Sequence, residues 1–290
     1  MKIFKNRKKS KKKGKTTNLS AINNIGLIQF TSDLHLEFYK EDMDIKTWLI
    51  PSAPYLAILG DLGYPYHKNF MEFLSQVSKI YKKVFFVPGN HEYYQYDVQK
   101  AQTIEEINLK IKKICSSFDN VFMLNNNEYI LDNYIILGTT LWSKIPEEYE
   151  EMIKYNINDY NDIYYNLNNE KRLITTQFIN AEYIKNLNWL ENTIEKYKDK
   201  KKIIIMTHHL PSLKLIHKKY DSCPVNCAFA SDLDYLIEKY VNIKYWLCGH
   251  THSHVKATIN NCLCIANPFG YNEKNEVENK AYDKQKIIIL

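Results

Sequence analysis

Five short apolar runs, each followed at once by polar residues, constrain the fold of this chain more than any other sequence feature. The runs occupy residues 27–30, 55–59, 84–87, 203–206 and 245–247. They have the length of strands and are rich in β-branched and aromatic residues, which predicts strands buried in a sheet. Each polar cluster therefore follows the carboxyl end of a predicted strand.

Helical patterns lie between several of these runs. Apolar residues recur at three-and-four spacing over residues 70–81, 103–115 and 183–197, which predicts amphipathic helices. Strands that alternate with helices predict an α/β layered fold. Three strand-like runs follow one another over residues 121–142, and we interpret them as a meander within the sheet. Residues 143–180 are polar and rich in Tyr and Asn, and we interpret them as an insertion or lid.

The positive charge of the chain is concentrated at its amino-terminal end. Residues 1–15 contain nine Lys or Arg and no acidic residue, so the formal net charge of +6 leaves −3 for the rest. We predict a disordered Lys-rich tail over residues 1–20, because it has too few apolar side chains to order itself, and one domain over residues 25–290. The tail is either a solubilising segment or a contact for nucleic acid or another polyanion.

The cysteines and the hydropathy give an expectation for the compartment. None of the six cysteines forms a Cys-x-x-Cys pair, so a zinc ribbon is not indicated. We expect reduced thiols and a cytoplasmic or other reducing intracellular compartment. No run approaches the ~18 apolar residues of a membrane-spanning helix, and no apolar segment of a secretory signal follows the basic residues.

The polar clusters together offer the donors of a metal site. The carboxyl ends of strands line the ligand-binding crevice in open α/β sheets, so clusters far apart in sequence can meet there. Each cluster alone is a weak signal, but all five occur in order at predicted strand ends. Mixed oxygen and nitrogen donors without a thiolate suit Mn, Fe, Zn or Co. The clusters offer two carboxylates, one amide and four imidazoles: Asp33, His35, Asp61, Asn90, His208, His250 and His252.

The series of motifs resembles a known enzyme family. Asp33-x-His35, Gly60-Asp61, Gly89-Asn90-His91-Glu92, His208 and Gly249-His250-x-His252 look like the five-block signature of calcineurin-like metallophosphoesterases. The resemblance implies a four-layered α/β/β/α sandwich with a dinuclear metal site at the carboxyl ends of the strands. A narrower resemblance, carried for example by residues 32–38 and 229–234, is to a subgroup of small, mostly uncharacterised members.

The same resemblance implies a role for each matched residue. Asp33, His35, Asp61 and His252 would hold one divalent metal ion, and Asp61, Asn90, His208 and His250 would hold a second. A hydroxide bridging the two ions would attack phosphorus in line with the leaving oxygen. His91 would lie near the leaving group, as a proton donor or as a stabiliser of the developing charge. Asp61 and His91 are thus the predicted catalytic residues.

The arginine content narrows the substrate class. The chain has two arginines, Arg7 and Arg172, and neither lies in a motif block. The phosphoprotein phosphatase branch of the family carries arginines that grip phosphate, so we disfavour a Ser/Thr protein phosphatase. Tyr64 also stands where that branch carries the carboxylate that orients its catalytic histidine. The group that orients His91 therefore stays open.

Phosphate binding without arginines must depend on the metals, on His91 and on other polar side chains. We name His209, His254 and Asn267 as candidate substrate contacts. A small phosphomonoester or phosphodiester, such as a nucleotide, fits this site. One alternative is a nuclease or nucleic-acid-associated phosphoesterase guided by the basic tail. A second is a non-catalytic scaffold, which the full set of seven metal ligands disfavours.

Overall fold

The computed structural model describes residues 26–39, 43–271 and 280–290, so the predicted tail over residues 1–20 lies outside the described residues. Thirteen strands run along the described chain: β1 (Leu27–Thr31), β2 (Tyr55–Leu59), β3 (Lys83–Val87), β4 (Val121–Met123), β5 (Asn127–Leu131), β6 (Tyr134–Thr139), β7 (Tyr164–Leu167), β8 (Glu170–Leu173), β9 (Lys202–Thr207), β10 (Ile243–Cys248), β11 (Lys256–Ile259), β12 (Cys262–Ala266) and β13 (Ile287–Ile289).

Two mixed sheets form the centre of the fold. The first has the order β13-β1-β2-β3-β4 and the second the order β11-β12-β10-β9-β6-β5. Strands β1 to β4 are parallel neighbours in the first sheet, as are β6, β9, β10 and β12 in the second. All five predicted strands are present, and they occupy β1, β2, β3, β9 and β10.

The predicted meander over residues 121–142 is wrong. Strand β4 pairs in parallel with β3 in the first sheet, while β5 and β6 form an antiparallel hairpin in the second. The chain therefore crosses from one sheet to the other between Met123 and Asn127. Three short strands in succession look alike in sequence whether they share a sheet or not, because period-two patterning does not specify the pairing partner.

Helices cover the outer face of each sheet. They are α1 (Lys68–Ser78), α2 (Ile104–Cys115), α3 (Glu150–Asn156), α4 (Asp159–Asp162), α5 (Thr176–Tyr197) and α6 (Asp234–Lys239). Helices α1 and α2 share a core with the first sheet, α5 and α6 share one with the second, and a third core lies between the two sheets. The α/β/β/α sandwich implied by the resemblance is confirmed.

One helix begins where the sequence pattern predicts, and two helices have boundaries that differ from the pattern. Helix α2 begins as predicted, because the Thr103 side chain and Glu106 form a reciprocal capping box. Helix α1 ends at Ser78, and Ile80 beyond it is exposed. Helix α5 begins at Thr176, because Thr175 caps it by accepting from the Phe178 N–H.

The segment over residues 143–180 packs against the first-sheet core. It forms α3, α4 and the β7–β8 hairpin, and it buries Ile153 and Ile163 completely. Its motion as a lid stays a prediction. The six cysteines are free thiols, and Cys262 and Cys264 are buried in β12. Among the described helices, none is long and apolar enough to cross a lipid bilayer.

Candidate metal centre

The carboxyl ends of five strands meet at one edge of the sandwich and are joined there by backbone hydrogen bonds. The Asp33 N–H donates to Gly60 O (3.0 Å), and the His35 N–H donates to Asp61 O (3.0 Å). Across the two sheets, the His250 N–H donates to Asp33 Oδ1 (3.0 Å). The polar residues that follow β1, β2, β3, β9 and β10 are thus brought to a single place.

Five of the candidate ligand residues have a left-handed backbone: Asp33 (φ 55°), His35 (φ 48°), Asp61 (φ 52°), His250 (φ 72°) and His252 (φ 48°). Non-glycine residues rarely adopt this conformation, and each instance costs about 1–3 kcal/mol. The surrounding structure must therefore hold these residues in place. Strain of this kind gathers at functional sites.

Two glycines permit the close approach of the strand ends. Gly60 has a left-handed backbone (φ 83°), and a β-carbon there would collide with Nδ1 of His208. A β-carbon on Gly249 would lie 2.8 Å from Oδ2 of Asp33. Any larger residue at either position would displace a candidate metal ligand.

The side chains form two donor groups that share Asp61. In the first, one ligand atom from each of Asp33, His35, Asp61 and His252 lies within 4.8 Å of the others. In the second, the same holds for Asp61, His208 and His250. Asn90 joins the second group, because its Oδ1 lies 3.0 Å from Nε2 of His208. A third group, formed by His35, Glu37 and His91, adjoins the first.

Hydrogen bonds on the outer side of the histidines orient them toward the centre. Nδ1 of His208 lies 2.8 Å from Leu59 O, so it carries the proton and leaves Nε2 to face Asp61 at 3.3 Å. Nδ1 of His35 lies 2.9 Å from Oε1 of Glu37, which leaves Nε2 of His35 on the inner side. Metal-binding histidines are commonly held by such outer partners.

Burial and neighbouring charges together set the pKa values of the candidate ligands. Burial opposes ionisation of Asp61, but His208, His91 and His35 together outweigh it and hold the pKa of Asp61 well below its usual range. Burial lowers the pKa of His208, but Asp61 outweighs it and raises that pKa to about 10. Burial, together with neighbouring histidines, holds the pKa values of His250 and His252 well below their usual range, so both rings are neutral.

The donor set fits a pair of divalent cations. The seven residues supply imidazole nitrogens, carboxylate oxygens and one amide oxygen, with no thiolate among them, which suits borderline to hard metal ions. Asp61 belongs to both groups, and a shared carboxylate is the usual bridge between two ions. Asp159 orients the amide, because its Oδ1 accepts from Nδ2 of Asn90 at 2.8 Å.

His91 lies beside the two groups with both ring nitrogens engaged. Nδ1 lies 3.1 Å from Oε1 of Glu37, and Nε2 lies 3.1 Å from the Tyr271 hydroxyl. The ring stacks on Tyr94 with centroids 4.2 Å apart. Burial lowers the pKa of His91, but Asp61 and Glu37 outweigh it and raise that pKa to about 9. These two carboxylates therefore favour the protonated form of the ring.

Three acidic residues in the site received no role from the sequence. Glu37 binds both His35 and His91, although its only sequence signal was its place two residues after His35. Glu92 is buried and accepts from the backbone N–H groups of Asp61, Leu62 and Gly63 (3.0, 2.7 and 3.2 Å), and also from Gly89. Asp159 comes from the 143–180 segment, which therefore reaches the centre.

The centre opens into a cleft of about 410 Å³. Asp61, Asn90, His91, His250 and His252 form its floor. Residues 156–159 form one wall, and Tyr220, Phe229 and Tyr271 are among the other lining residues. Among the described residues, no Lys or Arg lines this cleft.

The three candidate substrate contacts do not line the cleft. Both polar atoms of Asn267 are used by backbone groups: Nδ2 donates to Phe30 O and Asp283 O, and Oδ1 accepts from the Asp283 N–H. In this structure the Asn267 amide joins backbone segments, and its contact with substrate stays a prediction. His209 is buried behind His250, with ring centroids 4.2 Å apart. His254 is half-buried and lies outside the lining.

Comparisons with known proteins agree with this geometry. A model of the calcineurin-like phosphoesterase family matches residues 27–254. An uncharacterized protein of Acanthamoeba polyphaga mimivirus is 36% identical over 279 residues, which cover 88% of this chain and 95% of that protein. The crystal structure of phosphopantetheinyl hydrolase from Mycobacterium tuberculosis has a TM-score of 0.65 at 16% identity, covering 87% of this chain and 93% of that one. The last similarity shows a shared fold.

Proposed function

The chain belongs to the calcineurin-like phosphoesterases and is a phosphoric ester hydrolase, and from this premise we propose that it hydrolyses a small phosphomonoester or phosphodiester in the cleft above Asp61. The observation that carries the proposal is the pair of donor groups that share Asp61. The family uses divalent metals, and the donors beneath the cleft are suited to holding two of them.

The residues would divide between the two ions as the donor groups do. Asp33, His35, Asp61 and His252 would hold one, and Asp61, Asn90, His208 and His250 the other. Bound divalent ions would activate a water molecule for in-line attack and neutralise charge on the phosphoryl group. We propose Mn, Fe, Zn or Co, because the donors combine imidazoles with oxygens.

His91 is proposed to protonate or stabilise the leaving oxygen. It lines the cleft beside Asp61, and its Nε2 is directed toward the Tyr271 hydroxyl rather than toward the donor groups. A substrate oxygen could replace that hydroxyl as the partner of Nε2. Glu37 would hold the ring in position from the opposite side, since it accepts from Nδ1.

The cleft favours a substrate with little negative charge beyond the reacting phosphate. No Lys or Arg among the described residues lines the cleft, so the described walls offer a polyphosphate chain neither of the side chains that usually bind one. Asn156 and Asn158 offer neutral polar groups instead. This supports a monophosphate ester or a phosphodiester of a small molecule, a nucleoside among them.

A direct assay tests the proposal. The full chain, loaded in turn with Mn²⁺, Zn²⁺, Co²⁺ and Fe²⁺, is incubated with p-nitrophenyl phosphate and with bis-p-nitrophenyl phosphate, then with a panel of nucleotides and cyclic nucleotides. We expect turnover of at least one ester that a chelator abolishes. The relative rates on the first two esters distinguish a monoesterase from a diesterase. No turnover with any of these metals would favour the scaffold alternative.

A further inference from the structure

A second, smaller pocket opens beside the metal cleft. It has a volume of about 170 Å³ and is more enclosed than the cleft. Ile216, Val225 and Phe229 supply apolar surface to it, and Tyr220 adds an aromatic ring. Asn226 and His217 are the polar residues of its lining, and among the described residues no acidic, Lys or Arg side chain lines it.

The side pocket adjoins the cleft. Tyr220, Phe229 and Thr251 line both of them. Phe229 also stacks on His250, with ring centroids 4.6 Å apart and an interplanar angle of 25°. The residues that border both spaces are thus fixed, through Phe229, to a candidate metal ligand.

The junction contains a polar atom without a partner. Oγ1 of Thr251 is buried and makes no hydrogen bond to the described residues. Buried hydroxyls are normally hydrogen-bonded, and an exception calls for an explanation. Thr251 lines both spaces, but its Oγ1 has no exposed surface, so a ligand there would contact the residue through its other atoms.

We infer that the side pocket binds a ring-sized apolar or aromatic part of the alcohol esterified to the phosphate, while the phosphoryl group lies over the metal donors. This inference rests on the proposed function and deepens it, because it names the substrate class as an ester whose alcohol carries such a group. The volume supports a single ring, since an apolar cavity of ~150 Å³ can hold benzene.

Non-hydrolysable phosphonates separate ring binding from catalysis. Calorimetry on the Mn²⁺-loaded full chain gives dissociation constants for benzylphosphonate and methylphosphonate, which differ by one ring. We expect benzylphosphonate to bind about tenfold more tightly or better, because burying ~100 Å² of apolar surface favours binding by more than that factor. Methylphosphonate is too short to reach the pocket, so the ratio of the two constants is the readout for each variant.

Filling the side pocket with a larger side chain should remove the preference for benzylphosphonate over methylphosphonate. In Val225→Trp the indole occupies the space of the ring, so the ratio should fall to near one, and Ile216→Trp should do the same from another part of the wall. Val241→Trp is the matched control, because Val241 is 60% exposed and lies outside the pocket; its ratio should equal that of the unaltered chain.

The outcomes distinguish this inference from the proposed function. The role inferred for the side pocket would be contradicted if the unaltered chain bound the two phosphonates equally. It would also be contradicted if the preference for benzylphosphonate survived in both filled variants. Either result would hold even if the chain hydrolyses esters. A benzyl preference that both filled variants lose would support the side pocket even if no ester were turned over, and in that case only the hydrolase proposal would fail. Absence of binding by either phosphonate would overturn the inference.

Discussion

Oε1 of Glu37 lies 3.1 Å from Nδ1 of His91 and 2.9 Å from Nδ1 of His35. One buried carboxylate oxygen therefore contacts both the predicted leaving-group donor and a candidate metal ligand. The hydrogen bonds from these histidines outweigh the effect of burial and lower the pKa of Glu37 to about 2. Tyr64 stands where phosphoprotein phosphatases carry the orienting carboxylate, and Glu37 offers that function from the end of a different strand.

The variant Glu37→Gln tests whether this carboxylate positions His91. An amide oxygen is a weaker acceptor for two ring N–H groups than a carboxylate is, so we expect kcat to fall while KM stays nearly constant. The fall should be larger for phenyl phosphate, about tenfold to a hundredfold, than for p-nitrophenyl phosphate, because a poor leaving group depends more on the donor. Steady-state kinetics on both esters gives the comparison.

Metal analysis tests a competing explanation for the effect of Glu37→Gln. Since Glu37 also holds His35, the same variant could act by loosening the first donor group. Equal losses on both esters, accompanied by a loss of bound metal, would show that Glu37 supports only His35. The matched control is Glu105→Gln, an exposed glutamate in α2, which should change neither kinetics nor metal content.

The variant Asp61→Asn tests the shared ligand. Asp61 belongs to both donor groups, so loss of its charge should weaken both sites and remove activity by at least about a thousandfold, the range seen when a principal electrostatic group is lost. Elemental analysis of the purified variant should find less bound metal than in the unaltered chain. A variant that kept its full metal content would contradict the bridging role.

The variant His91→Ala should separate catalysis from metal binding. His91 lies in the cleft but belongs to neither of the two groups that share Asp61. We expect turnover to fall about a hundredfold to ten-thousandfold, the usual contribution of a positioned acid, while metal content stays near that of the unaltered chain. A metal loss as large as in Asp61→Asn would contradict the role proposed for His91.

The sequence predicted the strand ends of the site because each candidate ligand follows its strand directly. Asp33, Asp61 and His208 come within two residues of β1, β2 and β9, and parallel strands bring such residues to one edge whatever the loops do. The pattern contained no information on the left-handed backbones or on which ring nitrogen faces inward. Those features depend on contacts between residues far apart in the chain.

The parts that escaped prediction depend on long-range pairing. Asp159 orients Asn90 from 69 residues away, and Asn267 uses its amide on the backbone of Phe30 and Asp283. No local period marks either role, because a sequence pattern does not show whether an Asn is exposed or binds backbone groups far away in the chain. The pairing of β4 with β3 is likewise a long-range contact that no local period indicates.

The variant Glu92→Gln should reduce stability. The Glu92 carboxylate is fully buried and accepts four backbone N–H groups, which join the loops after β2 and β3. A glutamine would direct an NH₂ group at some of these donors, and we expect a loss of about 1–3 kcal/mol in the free energy of unfolding, because buried N–H groups would lose their acceptor. Urea denaturation measures this loss of stability. A loss below about 1 kcal/mol would contradict the role of Glu92 in joining the two loops.

Deletion of residues 1–18 should separate the basic tail from the hydrolase. The cleft is lined by residues from Asp61 onward, so turnover of a small ester should not change. If the tail contacts nucleic acid, the full chain should bind an oligonucleotide with an affinity that falls steeply with salt, because its nine basic residues displace counterions. The deletion should abolish that binding. Equal oligonucleotide binding by both chains would leave the tail no role in such a contact.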